Sequence, residues 1–156
     1  MQYIGLSRRQ LLTSLTSILL LPVSRLRPAH AATPEHLQPL IDAVTGRAVP
    51  RVGKVKLTLP ALAESGNSVP LSVQVESPMT LDDHVKSIHI FSEKNPRPVI
   101  ARFHLGPHSG KAQVTTRIRL AGTQHVVALA MMSDNSAWLG SAEVVVTTAA
   151  CIDEKQ

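Results

Sequence analysis

Val69-Pro70-Leu71-Ser72-Val73-Gln74-Val75-Glu76 alternates apolar and polar residues at every step. A period of two places Val69, Leu71, Val73 and Val75 on one face of an extended chain, the pattern of a half-buried β-strand. The same period appears upstream, where Val55, Leu57 and Leu59 alternate with Lys54, Lys56 and Thr58. Pro60 to Ser68 connects the two, and Gly66 and Asn67 in it predict a turn with positive φ.

Downstream, Ser77-Pro78-Met79-Thr80 ends the strand, and Val85 to Ser92 and Val99 to Leu105 predict two more. Pro96 and Pro98 lie between them; neither can donate to a ladder, so Glu93 to Pro98 is a turn or an edge. Gly106-Pro107-His108-Ser109-Gly110 reads as a hairpin loop into Gln113 to Leu120, which again alternates. His125 to Ser133 is apolar almost throughout, as expected of a central strand, and Asp134-Asn135-Ser136 turns the chain into Trp138 and a last strand through Thr147. About seven strands with short turn-rich connections and no long helix between them predict an all-β fold, an immunoglobulin-like antiparallel β-sandwich. Its core must be built from Val, Leu, Ile and Ala, since Tyr3, Phe91, Phe103 and Trp138 are the whole aromatic complement.

Ahead of the strands, Leu37, Leu40, Ile41 and Val44 recur at i, i+3, i+4 and i+7, which predicts a short N-terminal helix over Glu35 to Thr45 with Gly46 as its stop. Residues 1–31 have the layout of an export signal, with Arg8 and Arg9 before an apolar run from Leu11 to Leu21, and Ala29-His30-Ala31 as the cleavage site. Ser7-Arg8-Arg9-Gln10-Leu11-Leu12 is a twin-arginine pattern. The run is about 11 residues, against the roughly 20 a membrane-spanning helix needs, so the mature chain is expected to have no membrane span. The expected organisation is a cleaved signal over 1–31, helix and linker over 32–50, sandwich over 51–148 and a C-terminal cysteine arm over 149–156.

The whole chain has 16 Lys and Arg against 11 Asp and Glu. The signal holds four of the arginines and no acid, so the mature balance is 12 against 11. The basic character therefore belongs to the signal, and no nucleic-acid partner is expected.

Cys151 is the only cysteine, three residues beyond Thr148 and ahead of the charged end Ile152-Asp153-Glu154-Lys155-Gln156. It cannot form an internal disulfide; it stays free, pairs with another molecule or carries something covalently. A buried position capping the core is the plain structural alternative. Asp153 and Glu154 disfavour the thiolate, so nothing local activates this sulfur as a nucleophile. His84, His89, His104 and His108 lack the paired spacing of a metal site, and no G-x-S-x-G elbow or acid–base carboxylate pair is present. Asp82 and Asp83 read as the caps of a turn. No metal and no catalytic residue are expected.

Several segments, in order, resemble the SoxY family of sulfur-carrier proteins: Asn67 to Val73, Ser77-Pro78-Met79-Thr80, Val85 to Phe91, Glu93-Lys94-Asn95-Pro96, Thr116 to Ala121 and Met132-Ser133-Asp134. The resemblance implies a periplasmic carrier, exported through the twin-arginine pathway, that is not itself an enzyme. It implies a heterodimer with a SoxZ-like sandwich subunit, and Cys151 as the attachment point for sulfur intermediates, with no other cofactor. The implied clients are a haem-containing loading enzyme, a sulfate-releasing hydrolase and a sulfane dehydrogenase. In the family the carrier cysteine lies in Gly-Gly-Cys-Gly-Gly, whereas here the arm is Ala149-Ala150-Cys151-Ile152-Asp153. Alanine and isoleucine make a stiffer, wider arm than glycine. The alternative reading is a non-covalent immunoglobulin-like interaction module in which Cys151 has no carrier role.

Overall fold

A computed structural model of the chain describes residues 33–46 and 48–149. A 3-10 turn, Glu35–Leu37, leads into α1 (Gln38–Thr45), and Gly46 stops the helix at φ 64° with its N–H donating to Asp42 O. Nine strands follow: β1 (Arg51–Val52), β2 (Val55–Thr58), β3 (Leu62–Ser65), β4 (Val69–Val75), β5 (Val85–Ser92), β6 (Val99–His104), β7 (Gln113–Ile118), β8 (Gln124–Met132) and β9 (Ala137–Thr148). They form two sheets, a large one ordered β1-β9-β8-β5-β6 with β3 also on β9, and a small one ordered β2-β4-β7. The seven strands expected are all present, and the sandwich is immunoglobulin-like as predicted.

The two further strands are short, and both pair parallel with β9: β1 at Arg51↔Trp138 and Val52↔Leu139, β3 at Leu62↔Val145 through Ser65↔Thr148. Between them the chain crosses to the small sheet as β2 and returns. The first crossing is made at Gly53 (φ 132°) and Lys54 (φ 35°). Gly53 is needed there, since its φ is rarely open to L side chains and a Cβ would meet the Trp138 ring at 3.3 Å.

The structure corrects three local expectations. Residues 62–65, expected as part of a turn, form β3, and neither Gly66 nor Asn67 has positive φ. Gly106 to Gly110 is not a hairpin loop: it holds a 3-10 turn, Pro107–Ser109, and carries the chain from the edge of the large sheet to the edge of the small one. The turn before β5 is capped by Thr80, whose Oγ1 accepts from Asp83 N at 3.1 Å, while Asp83 contributes its backbone.

The core lies between the sheets. Val69, Leu71, Val73 and Val75 of β4 face Ile88, Ile90, Val126, Ala128, Ala130 and Val144 of the large sheet, all buried. A second cluster lies on the outer face, where Leu37 and Ile41 of the helical segment cover Phe91, Val127, Leu129 and Leu139. β8 is thus buried on both faces, the physical reason its sequence is a continuous apolar run. Leu37 and Ile41 are at most 1% exposed, and each contributes about 1.5–3 kcal/mol by burial, which fastens an eight-residue helix too short to persist alone. No helix among the described residues is long and apolar enough to cross a membrane.

Candidate functional site

Two places on the sandwich have the makings of a site: the root of the arm at the end of β9, and a cavity beneath the end of α1. β9 is held to its last residue. On one side β3 runs parallel to it, with Gly66 N donating to Thr148 O at 2.8 Å and the Thr147 hydroxyl donating to Glu64 O at 2.6 Å. On the other side Thr123 Oγ1 accepts from Val146 N at 3.0 Å. The Gly66 carbonyl in turn accepts from Leu120 N at 2.9 Å, so the loop that holds Thr148 is tied to the end of the small sheet.

Ala149 follows as an exposed residue. Arg8, Arg9, Ala150, Cys151, Ile152 and Asp153 lie outside the described residues. Chain geometry alone limits the Cys151 Cα to about 7 Å from that of Ala149. At the root, Leu62 and Val145 are register partners and both exposed, at 59% and 45%. β3 is what sequence reasoning missed here. Its pattern gives only one buried residue, Ala63, so hydrophobic alternation carries too little signal to reveal it.

The second place is a cavity of about 640 Å³ on the outer face of the large sheet, beside the last turn of α1. A β-bulge shapes it. Val85 and Ile88 both face the core, which leaves two residues between them, and β5 slips register against β8 between Val85 and Ser87. The extra residue puts both Lys86 and Ser87 on the cavity side, a re-aiming that a regular strand does not allow. Lys86 Nζ donates to Asn135 Oδ1 at 2.6 Å, across the turn before β9. Arg102 of β6 stands opposite His89 in register and lines the same space.

His89 is only 8% exposed and stacks on Phe91 with ring centroids 6.3 Å apart and planes 10° apart. Its Nε2 is 3.0 Å from Ser87 Oγ, while its Nδ1 is buried with no partner among the described residues. Burial pushes its pKa below 6.5, and Arg102 and then His104 nearby add to that, which favours the neutral imidazole. Thr45 lines the cavity too, and its Oγ1 is buried with no partner among the described residues.

His104 lies near His89, opposite Ser87 in register, whereas His84, His108 and His125 stand apart. His84 Nδ1 lies 3.1 Å from Thr80 O, His108 is exposed on its 3-10 turn, and His125 pairs with Glu93 at 3.1 Å. Among the described residues no group of three His, Cys, Asp or Glu side chains is placed to hold a metal ion.

Residues 41–151 match the family model described as sulfur oxidation protein SoxY, a match that ends on Cys151. Among solved structures, the sulfur carrier protein SoxY from Chlorobium limicola f thiosulfatophilum is similar at 28% identity and TM-score 0.61, over 71% of this chain and 96% of that one. A superoxide reductase (neelaredoxin) from Ignicoccus hospitalis is similar at 17% identity and TM-score 0.54, over 60% of this chain and 80% of that one. A putative superoxide reductase from Thermotoga maritima is similar at 20% and 0.52, over 63% and 87%. These two share the fold and no more. No curated protein matches the sequence. With more than two thirds of its residues under the family model and a carrier of the same fold beside it, the chain belongs to the SoxY family of sulfur oxidation proteins.

Proposed function

We propose that this protein is a periplasmic covalent carrier of sulfur intermediates, with Cys151 as the attachment point and residues 149–156 as the presenting arm. The observation that carries the reading is the family match running through to the chain's single cysteine, three residues past a strand held by β3 up to Thr148 and by Thr123 at Val146. A firmly held root with a short extension lets partner enzymes find the sulfur at a fixed place on the body. Membership of a carrier family, not an enzyme family, agrees with a thiol that has no activating base beside it in sequence.

In the proposed cycle the Cys151 thiol and a thiosulfate dianion together lose two electrons and one proton to a haem-containing loading enzyme. The product is the cysteine S-thiosulfonate, with a new bond between Sγ and the outer sulfur of thiosulfate. A hydrolase then adds water across the terminal sulfur–sulfur bond, releasing sulfate and a proton and leaving the persulfide for a sulfane dehydrogenase. The carrier supplies no redox centre; its contribution is to hold the cargo by a bond that exchange chemistry can break. Residues 1–31, with Arg8 and Arg9, serve as the twin-arginine signal and are removed, and the mature sandwich pairs with a SoxZ-like subunit.

Intact-mass measurement after incubation with thiosulfate and the loading enzyme tests this. The expected result is an adduct on the wild type, released by the hydrolase as sulfate, and none on Cys151→Ser. An unmodified wild-type chain under turnover, or an adduct that persists in Cys151→Ser, sinks the proposal.

A further inference from the structure

We propose that the cavity between the last turn of α1 and β5 is a second binding site, for a small organic anion: a sulfonate or carboxylate head on a short apolar tail. Charge is the first argument. Lys86 and Arg102 line the cavity, and among the described residues no Asp or Glu does. The only hydrogen bond of the Lys86 ammonium among the described residues goes to a neutral amide, that of Asn135, which leaves its charge uncompensated. Arg102 has no hydrogen-bond or carboxylate partner among the described residues. The pKa of His89 is lowered first by burial and then by Arg102 beside it, which agrees with a positive charge at this wall.

Hydrogen bonding is the second argument. Thr45 and His89 both line the cavity and are each more than nine-tenths buried, and among the described residues Thr45 Oγ1 and His89 Nδ1 have no hydrogen-bond partner. Buried polar groups are almost always paired, so two such atoms beside one cavity favour a guest that pairs them. When the Ser87 hydroxyl donates to Nε2, the proton of the neutral ring resides on Nδ1, which is then a donor; the Thr45 hydroxyl is a second. Both atoms are covered in this structure, so a ligand oxygen bonds them as the Thr45 hydroxyl and the His89 ring turn toward the cavity.

Shape is the third argument. Leu40, Val44, Phe91, Val99 and Met131 make the rest of the wall, and the space exceeds what a bare inorganic anion fills. The carbonyl end of α1 opposes negative charge here, but it amounts to about half an elementary charge against the two full charges of Lys86 and Arg102.

The site is independent of the arm. Met131 pairs with Ala137 at the start of β9, and Thr148 is eleven residues further on, about 35 Å along the strand. A ligand here therefore does not compete with cargo on Cys151, and the binding holds or fails apart from the carrier reading.

Calorimetric titration of the intact protein with 1-butanesulfonate, at fixed ionic strength in chloride, tests the proposal. Saturable 1:1 binding is expected, with butylammonium giving none and inorganic sulfate binding more weakly than the sulfonate. Arg102→Gln and Lys86→Gln, both at exposed residues and so tolerated by the fold, should each weaken binding about tenfold. Thermal unfolding of both variants without ligand checks that they are folded. The proposal is overturned by unsaturable heats in the wild type, by equal binding of butylammonium, by sulfate binding as tightly as the sulfonate, or by less than threefold weakening in both variants.

Discussion

Gly140 of β9 lies directly against the backbone of Val55 in β2: a Cβ on Gly140 would stand 2.6 Å from the Val55 carbonyl oxygen and 3.3 Å from its carbonyl carbon. The two sheets meet closely here. It exists because β2 leaves the large sheet at Gly53 and passes over β9 on its way to β4. The obstacle is backbone, not the end of a flexible side chain, so a methyl group there must push the sheets apart. Gly140→Ala is expected to destabilise the protein by about 1–3 kcal/mol, the usual cost of overpacking. The measurement is the urea midpoint at unchanged m-value; a midpoint equal to wild type would show that β2 lies further from β9 than this.

A second prediction concerns Gln124, 2% exposed at the start of β8. Its Oε1 accepts from Lys94 N at 2.8 Å, and its Nε2 donates to Asn95 Oδ1 at 3.1 Å and Gly122 O at 3.2 Å. Asn95 continues the chain of bonds, donating to Arg119 O and accepting from Ala121 N. One amide thus ties the β5–β6 loop to the β7–β8 connection. Gln124→Leu preserves volume but leaves the Lys94 N–H unpaired, and a loss of about 1–3 kcal/mol is expected. Hydrogen exchange at Lys94 and Ala121 should accelerate along with it, whereas a defect confined to β8 would leave Ala121 protected.

Much of this architecture was legible in the residues. The alternation at Val69 to Glu76 and Gln113 to Leu120 gave strands because each has one face on the core and one in solvent. The apolar run of β8 gave a central strand, and Leu37, Leu40, Ile41 and Val44 gave the helical face that covers it. What stayed hidden was set by partners distant in the chain. β1 and β3 are strands only because β9 offers an edge to pair with, and their own side chains are almost all exposed. The Gly106–Gly110 segment has the composition of a hairpin turn, and only the sheet order shows that it crosses between layers. The cavity was harder still, since Lys86 reaches it through a bulge and alternation alone puts that side chain on the other face. Cys151 is a different case: the sequence singles it out as the only cysteine, and it lies outside the described residues.

His89 gives a pH dependence whose sign follows from its burial. Its folded pKa lies below the unfolded value of 6.5, so between the two the unfolded chain binds more protons. Stability from this group is fully present above pH 6.5 and is lost as pH falls through 6.5 toward the folded value. The slope is bounded by one proton, about 1.4 kcal/mol per pH unit. His104 and Arg102 face the same region and Lys86 lines the cavity, with no lining acid among the described residues to reverse the trend. Urea unfolding of wild type and His89→Phe between pH 5 and 7 should therefore diverge, with the variant losing less on acidification. Parallel curves would place the relevant proton on another group.

The departure of the arm from glycine leads to the last prediction. Family arms carry Gly-Gly-Cys-Gly-Gly, and a glycine-flanked cysteine enters a narrow channel with little side-chain bulk. Here Ala149, Ala150, Ile152 and Asp153 add four side chains, one branched and one charged, around the sulfur. Under the carrier reading, enzymes adapted to glycine arms should load this protein poorly, and replacing those four residues by glycine should raise kcat/KM for loading about tenfold, equivalent to about 1.4 kcal/mol of barrier. The protein's own partners, whose channels accommodate the wider arm, should show the opposite preference or none. Because β9 is anchored by β3 and Thr123 up to Thr148, the thermal midpoint should be the same in both forms, which separates an effect on access from an effect on folding. Equal loading of the two arms by a glycine-adapted enzyme would mean that the channel reads the body of the carrier and not the residues beside its cysteine.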